Sequence, residues 1–316
     1  MKTKILMGSA LMLLLFACAS SSAWAYDVTN TTSAQGNISN ANNNTVLSFD
    51  PNGDYSNFTV TVPSTVENLT LNGNGATLYG NGINHIFIID NTVGFSIYNF
   101  TIIANAQNGI RGNNTVGVTI SNCTISDGSA GVNLFGASSD VTIVGNTITN
   151  MTVGNGNGIS LVHHSSLGDL SSLSPSTIAN NTISDVNFGM FIGGNFLGTI
   201  DSNIITDVSN YGIQFVGRMA TTNGIVNATI TGNTINSSNI GIAFDTPNYA
   251  YLNLDDNTIQ GNNSAVEVGD LVNDPSPNPV IVVNNDFFGG EGDLLTLFGF
   301  SSEWDNNTLN GTEFPS

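Results

Sequence analysis

From about residue 67 onward, apolar and polar positions alternate in bursts of three or four residues, broken by Asn, Gly, Asp and Ser. One burst recurs in recognisable form. It reads Ile97-Tyr-Asn-Phe-Thr-Ile102, Ile120-Ser-Asn-Cys-Thr-Ile125, Ile143-Val-Gly-Asn-Thr-Ile148 and Ile178-Ala-Asn-Asn-Thr-Ile183. It continues as Ile200-Asp-Ser-Asn-Ile-Ile205, Ile230-Thr-Gly-Asn-Thr-Ile235, Leu254-Asp-Asp-Asn-Thr-Ile259 and, degraded, Val282-Val-Asn-Asn-Asp-Phe287. A second burst follows a glycine: Gly131-Val-Asn-Leu134, Gly158-Ile-Ser-Leu161, Gly189-Met-Phe-Ile192, Gly212-Ile-Gln-Phe215 and Gly241-Ile-Ala-Phe244. A period of two marks short strands with one face inside. Helix signals are nearly absent, because Thr, Asn, Gly, Ile and Val dominate.

Successive bursts start 23, 23, 35, 22, 30, 24 and 28 residues apart. A floor near 22 with irregular additions describes a coil whose loops grow from one corner. A unit that cannot bury its apolar face alone must stack on its neighbours. The pattern therefore predicts an all-β chain, a single parallel β-helix of about nine coils. Residues 67–293 form the solenoid in this reading. Residues 26–66 and 294–316 supply an N-terminal cap and a last coil with a C-terminal cap, since open solenoid edges template aggregation.

Residues 1–25 stand apart. Lys2 and Lys4 precede an apolar run from Ile5 to Ala17, then small residues ending in Ala23-Trp24-Ala25, the layout of a secretory signal peptide. Leu15-Phe16-Ala17-Cys18 also resembles a lipobox, which makes acylation of Cys18 the alternative to release after Ala25. The chain is thus expected outside the cytoplasm, secreted or at the cell surface.

Removing the leader sharpens the charge. Of four Lys and Arg, only Arg111 and Arg218 remain, against 23 acidic residues, all beyond Ala25, for a formal charge of −21. Two cations cannot neutralise a run of phosphates, which excludes nucleic acid as a partner, and they offer little to an anionic membrane surface. Beyond the leader no apolar run is long enough to span a bilayer. Cys123 is left without an intramolecular partner, so burial rather than disulfides must hold the fold.

The repeat also places its polar residues. Asn146, Asn181, Asn203, Asn233, Asn257 and Asn285 fall at one bend in successive coils, where side-chain amides can bond from coil to coil as an inward ladder. Phe100 and Cys123 share that column, and both prefer burial. Outside, the post-glycine strand presents Arg111, Asn133, Ser160, Phe191, Gln214, Ala243 and Glu267, which reads as a solvated sheet. One turn later come Asp127, Asn150, Asp185 and Asp207. Asp185 and Asp207 on adjacent coils invite either a turn role or a bridging calcium. Asp50-Pro-Asn52-Gly-Asp54 has the first three oxygen positions of a calcium loop, without its later glycine and acidic residue. No cofactor is required. Long insertions after residue 162, from 218 to 227 and from 270 to 279 leave one corner and gather His163, His164 and Arg218 as a candidate ligand-binding edge.

The repeats resemble the right-handed parallel β-helix proteins of the pectate-lyase-like superfamily, and among them the Asn- and Thr-rich adhesin-like surface proteins of archaea and bacteria. The resemblance covers residues 67 to 300. It implies a right-handed solenoid but leaves activity open, since the scaffold carries lyases, hydrolases, esterases, epimerases, adhesins and tailspikes. Their catalytic motifs are missing: there is no R-x-P-x-x-R, no G-H-G or R-I-K, no D-P-H, and the only paired Asp, Asp255-Asp256, sits in a bend. The expectation is a non-enzymatic, adhesin-like protein contacting glycan or another envelope component. The alternative is a polysaccharide lyase or glycoside hydrolase working at the loop-lined edge.

Overall fold

A computed structural model describes residues 27–164, 169–219, 222–237, 239–245, 248–268, 280–290, 292, 294, 297 and 301–314. Residues 1–26, with Cys18, lie outside the described residues, as do 269–279. Twelve parallel strands, from Val28–Asn30 to Glu303–Asp305, form one continuous sheet. Each coil leaves this first sheet through a short bend into a second run, Thr124–Ser126 in one coil. It then turns at Asp127–Ser129 into a third run, Ala130–Gly136. In the middle coils the second and third runs fuse into the strands Thr182–Gly194 and Ile204–Val216. The cross-section therefore has three sides around one apolar core.

Around the inward positions each coil repeats its neighbour's register, with shifts confined to points such as Val186/Phe188 and Val226/Asn227. The inward column of the first sheet runs Leu71, Ile97, Ile120, Ile143, Ile178, Ile200, Ile230, Leu254, Val282, paired one to the next. All nine are fully buried. Ile102, Ile125, Ile148, Ile183, Ile205, Ile235, Ile259 and Phe287 form the matching column of the second. After the first of the twelve strands, eleven remain, and they bound about ten turns, in keeping with the expected solenoid of about nine coils. The first turn lies at the N-terminus, where Val46–Asp54 already pairs in parallel with Thr70–Asn72. Its sequence lacks the Asn-Thr-Ile signature, so the repeat did not reveal it.

The helix Thr31–Ser39 closes that end. Asn30 accepts the Ser33 N–H while the Ser33 hydroxyl accepts the Asn30 N–H, a reciprocal cap on an otherwise poor helix former. Ala34 and Ile38 are fully buried, so the helix covers the sheet edge. Tyr55 ties the cap down: its hydroxyl donates to the Val28 carbonyl at 2.8 Å and the Asp50 carbonyl at 3.0 Å.

The bend between the first and second sheets has a two-residue rule. Its first residue is left-handed: Asn99, Asn122, Gly145, Asn180, Ser202, Gly232, Asp256, Asn284 and Asn306 all have φ between 50° and 67°. Asn, Asp and Gly tolerate that region best. Its second residue points inward. The Asn203 side-chain oxygen accepts both the backbone and side-chain N–H of Asn181, each at 3.0 Å. Its own amide donates to Ile178 O at 2.9 Å and to the Asn233 oxygen at 3.0 Å. The ladder runs through Asn146, Asn181, Asn203, Asn233, Asn257 and Asn285, as the sequence indicates. It also takes in Asn307, one coil further than the repeat suggested. Cys123 sits at its start, buried, with its N–H on the Asn146 oxygen at 2.9 Å.

The glycine near the start of the third-sheet strands from Gly109 to Gly241 is steric. A Cβ on Gly158 would lie 2.5 Å from Ile183 Cγ2 and 2.6 Å from the Gly189 carbonyl. Equivalent clashes meet Gly109, Gly131 and Gly212, because neighbouring backbones and the isoleucine column converge there.

Two stability predictions follow from this packing. Asn203→Leu orphans several buried groups, each costing about 1–3 kcal/mol. It should therefore lower the melting temperature far more than Thr258→Leu on the exposed side of the equivalent bend two coils on. Equal effects would remove the ladder from the account of stability. The second concerns alkali. Burial pushes the Cys123 thiol from 9.0 and the Tyr55 phenol from 10.0 up to about 12 each. Both pKa values are raised on folding, so their stabilisation is whole below pH 9 and drains away as pH rises toward 12. Melting curves between these limits should show that loss, and Tyr55→Phe together with Cys123→Ala should flatten it.

Candidate functional site

The third sheet faces outward with the column Arg111, Asn133, Ser160, Phe191, Gln214, Ala243, Glu267, the register expected from sequence. A second outward column, Asn113, Phe135, Val162, Gly193, Val216, Asp245, runs beside it. Together they are less bland than a solvated sheet. Phe188 and Tyr211, stacked on adjacent coils, lie 5.6 Å apart with their planes at 17°. Phe191 meets Phe188 edge-on at 6.3 Å. All three rings are half-buried. Gln214 donates its side-chain amide to the Asp245 carboxylate at 2.6 Å. The Tyr211 phenol is held above its ordinary value, first by burial and then by the negative charges of Glu267 and Asp245. An aromatic platform thus stands beside an amide and two carboxylates, all on rigid strands of four successive coils.

The N-terminal end of the same face differs. Arg111 pairs with Asp90 at 2.7 Å and lays its guanidinium 4.8 Å over the Phe135 ring. His85 accepts the Asn108 N–H through Nδ1 at 3.2 Å, and its pKa is lowered by burial first and by Arg111 second. The sequence named Arg111, Phe191, Gln214 and Glu267 as column members, but not that Phe188, Tyr211 and Asp245 would share their face.

The expected ligand-binding edge is only partly as anticipated. His164 is exposed, but His163 ends the strand Asn157–His163 as a buried residue, with Nδ1 3.1 Å from Ser138 O. It walls a cavity of about 20 Å³ together with Leu134, Ser138, Leu173, Ser176 and Asn195, room for a single water. By backbone register His163 pairs with Gly194, and Gly193 with Val216, so Arg218 follows two coils on at the same corner.

At the opposite corner, Asp127, Asn150, Asp185 and Asp207 are all left-handed, with φ from 53° to 63°. The pairs Ser184–Thr206 and Val186–Val208 bracket Asp185 and Asp207, which sit in register on adjacent coils. Asn150 donates to Asp127 at 2.5 Å, and Thr149 donates to Asp185 at 3.3 Å. Asp207 also borders an open depression of about 220 Å³ with Val208, Ser209, Asn236 and Asn262. Farther N-terminal, Asp50 and Asp54 accept the backbone N–H groups of Asn52 and Ser56 at 2.9 and 3.1 Å, an arrangement of local turns. Among the described residues no three His, Cys, Asp or Glu side chains come together as a metal site, and no helix is long and apolar enough to cross a membrane.

With this geometry in hand, relationships become informative. The family model of the right-handed beta helix region matches residues 58–227, and the chain belongs to that family. No curated protein matches it in sequence. Among solved structures, the chain is similar to PfbA, a surface adhesin of Streptococcus pneumoniae, at 16% identity. That match covers 88% of this chain and 87% of PfbA, with a TM-score of 0.53. It is also similar to the tailspike protein of E. coli bacteriophage HK620 in complex with pentasaccharide. There the figures are 11% identity, 86% and 54% coverage and a TM-score of 0.51, so the chain spans about half the tailspike's length. A hyperthermoactive exopolygalacturonase from Thermotoga maritima matches at 11% identity, 85% and 79% coverage and a TM-score of 0.50. At these identities the likeness establishes the fold.

Two in-register carboxylates fall short of the six to eight oxygens that calcium takes. The expected outcome is that wild type and Asp185→Asn melt alike with calcium and with chelator. A calcium-dependent rise in wild type that the variant abolishes would instead give the ion a site at Asp185 and Asp207.

Proposed function

We propose that this is an exported, non-enzymatic surface protein that binds glycan along the outer face of its third sheet. The observation that carries the reading is the platform of Phe188, Phe191 and Tyr211 beside Gln214, Asp245 and Glu267. Sugar rings present an apolar face that stacks on aromatic rings and hydroxyls that pair with amides and carboxylates. Strands hold both kinds of partner in fixed positions, so little ordering cost is added on binding. His164, at the corner where this face ends, would extend the contact surface. The signal-peptide layout of residues 1–25 supports export, with lipid attachment at Cys18 as the alternative anchor. A fold shared with a surface adhesin and with a tailspike solved with a pentasaccharide supports the same reading.

One observation favours a second reading, a glycoside hydrolase. Glu267 pairs with Ala243, so it stands one coil from Asp245 on the same face. Two carboxylates flanking a bound sugar are the minimum equipment for glycosidic cleavage.

Retention of the exported chain on a panel of immobilised polysaccharides separates the two. Binding without release of reducing or unsaturated ends is expected. Tyr211→Ala and Gln214→Ala should each weaken it about tenfold, the equivalent of 1.4 kcal/mol. Polymer cleavage that Asp245→Asn and Glu267→Gln abolish would replace the binding reading with hydrolysis.

A further inference from the structure

We infer that the third-sheet face selects uncharged glycans and rejects acidic ones. This inference rests on the glycan-binding reading and narrows it. It starts from charge complementarity. A polymer of acidic sugars carries one negative charge on each acidic residue and must find cations or be repelled. The chain beyond the leader offers two cations against 23 carboxylates.

The position of those cations matters more than their number. Arg111 is the only cation in either outward column of the face, and it is already committed. Its guanidinium holds the Asp90 carboxylate at 2.7 Å and lies over the Phe135 ring at 4.8 Å. Freeing it for a ligand would leave Asp90 without its counter-charge, and one Asp90 oxygen is already buried without a partner. Arg218 lies beyond the end of the third-sheet strand, in a short antiparallel pair with Thr222–Asn223. It is off the platform.

The platform itself points the same way. Its polar groups, Gln214, Asp245 and Glu267, comprise one amide and two carboxylates, and Gln214 already turns its N–H donor to Asp245. The platform thus sets aromatic rings and two carboxylates against few donors, the second Gln214 N–H and the Tyr211 hydroxyl. Sugar hydroxyls, which both donate and accept, suit that mixture, whereas a sugar carboxylate only accepts. A carboxylate placed there also faces two like charges at short range, which builds in discrimination against it. The surrounding charge of −21 adds a longer-range repulsion that salt screens.

The test uses the full exported chain in affinity electrophoresis. The neutral probes are mixed-linkage β-glucan, galactomannan and dextran; the acidic probes are polygalacturonate, alginate and hyaluronan. Retardation is expected on at least one neutral polymer, unchanged when salt is raised, and on no acidic polymer at low salt. Tyr211→Ala should weaken the retardation about tenfold. Tyr211→Phe, which keeps the ring, should preserve it and guards against a folding defect. Glu267→Gln with Asp245→Asn should weaken neutral binding and admit acidic polymers. Preferential binding of an acidic polymer by wild type would overturn this inference while leaving the glycan reading intact. A folded protein that retards on none of the six would overturn both.

Discussion

Everything in this molecule depends on how the chain turns between its first and second sheets. A parallel coil must bend sharply without orphaning buried backbone groups, because those groups are far from water and cost free energy when unpaired. Two adjacent residues solve the problem. The first adopts a left-handed backbone, and the second turns an amide inward so that its oxygen serves two N–H groups of the preceding coil. Because each amide leans on the next, the bend is repeated identically over seven coils, from Asn146 to Asn307. A coil of different geometry would break two links at once. Where the ladder begins, Cys123 and Phe100 fill the column with apolar bulk, and the aromatic cluster of Phe49, Tyr55, Phe58 and Phe87 takes over the packing.

Fixing the bend frees the outside. Inward columns are nearly invariant Ile, Leu and Val because one packing solution repeats at each rung. Outward columns carry no such constraint, and the third sheet uses that freedom along its length. One end holds an arginine neutralised by Asp90. The middle holds three half-buried rings, and the far end two carboxylates. The same sheet thus presents different chemistry every few coils while its backbone stays constant. This division of labour is what allows solenoids to act as extended binding surfaces. The glycine column contributes by letting the third sheet pack directly on the isoleucines of the second, which keeps the face supported from beneath.

The architecture was legible because the repeat writes it many times over. Ile-x-[Asn/Gly]-Asn-Thr-Ile names, in order, an inward residue, an outward one, a left-handed bend, the ladder amide, an exposed threonine and the next inward residue. Six ladder asparagines and the outward column from Arg111 to Glu267 could be read directly. The seventh, Asn307, escaped because Trp304 and Leu309 replace the flanking isoleucines. The first coil escaped because Val46–Asp54 carries no asparagine bend at all.

Local sequence determined which residues face in and which face out, since a period of two and the tolerance of Asn and Gly for left-handed backbone are properties of single residues and their neighbours. It could not decide which outward residues of different coils meet. Phe188 and Tyr211 are separated by 23 residues, the length of a minimal coil, and they come into line only through a register shift between Val186 and Phe188. Nor could it place His163, which ends a strand with its ring buried beside Leu134, Ser138 and Leu173. Coil stacking alone sets those distances. The repeat therefore carried the scaffold, and the tertiary structure decided the face.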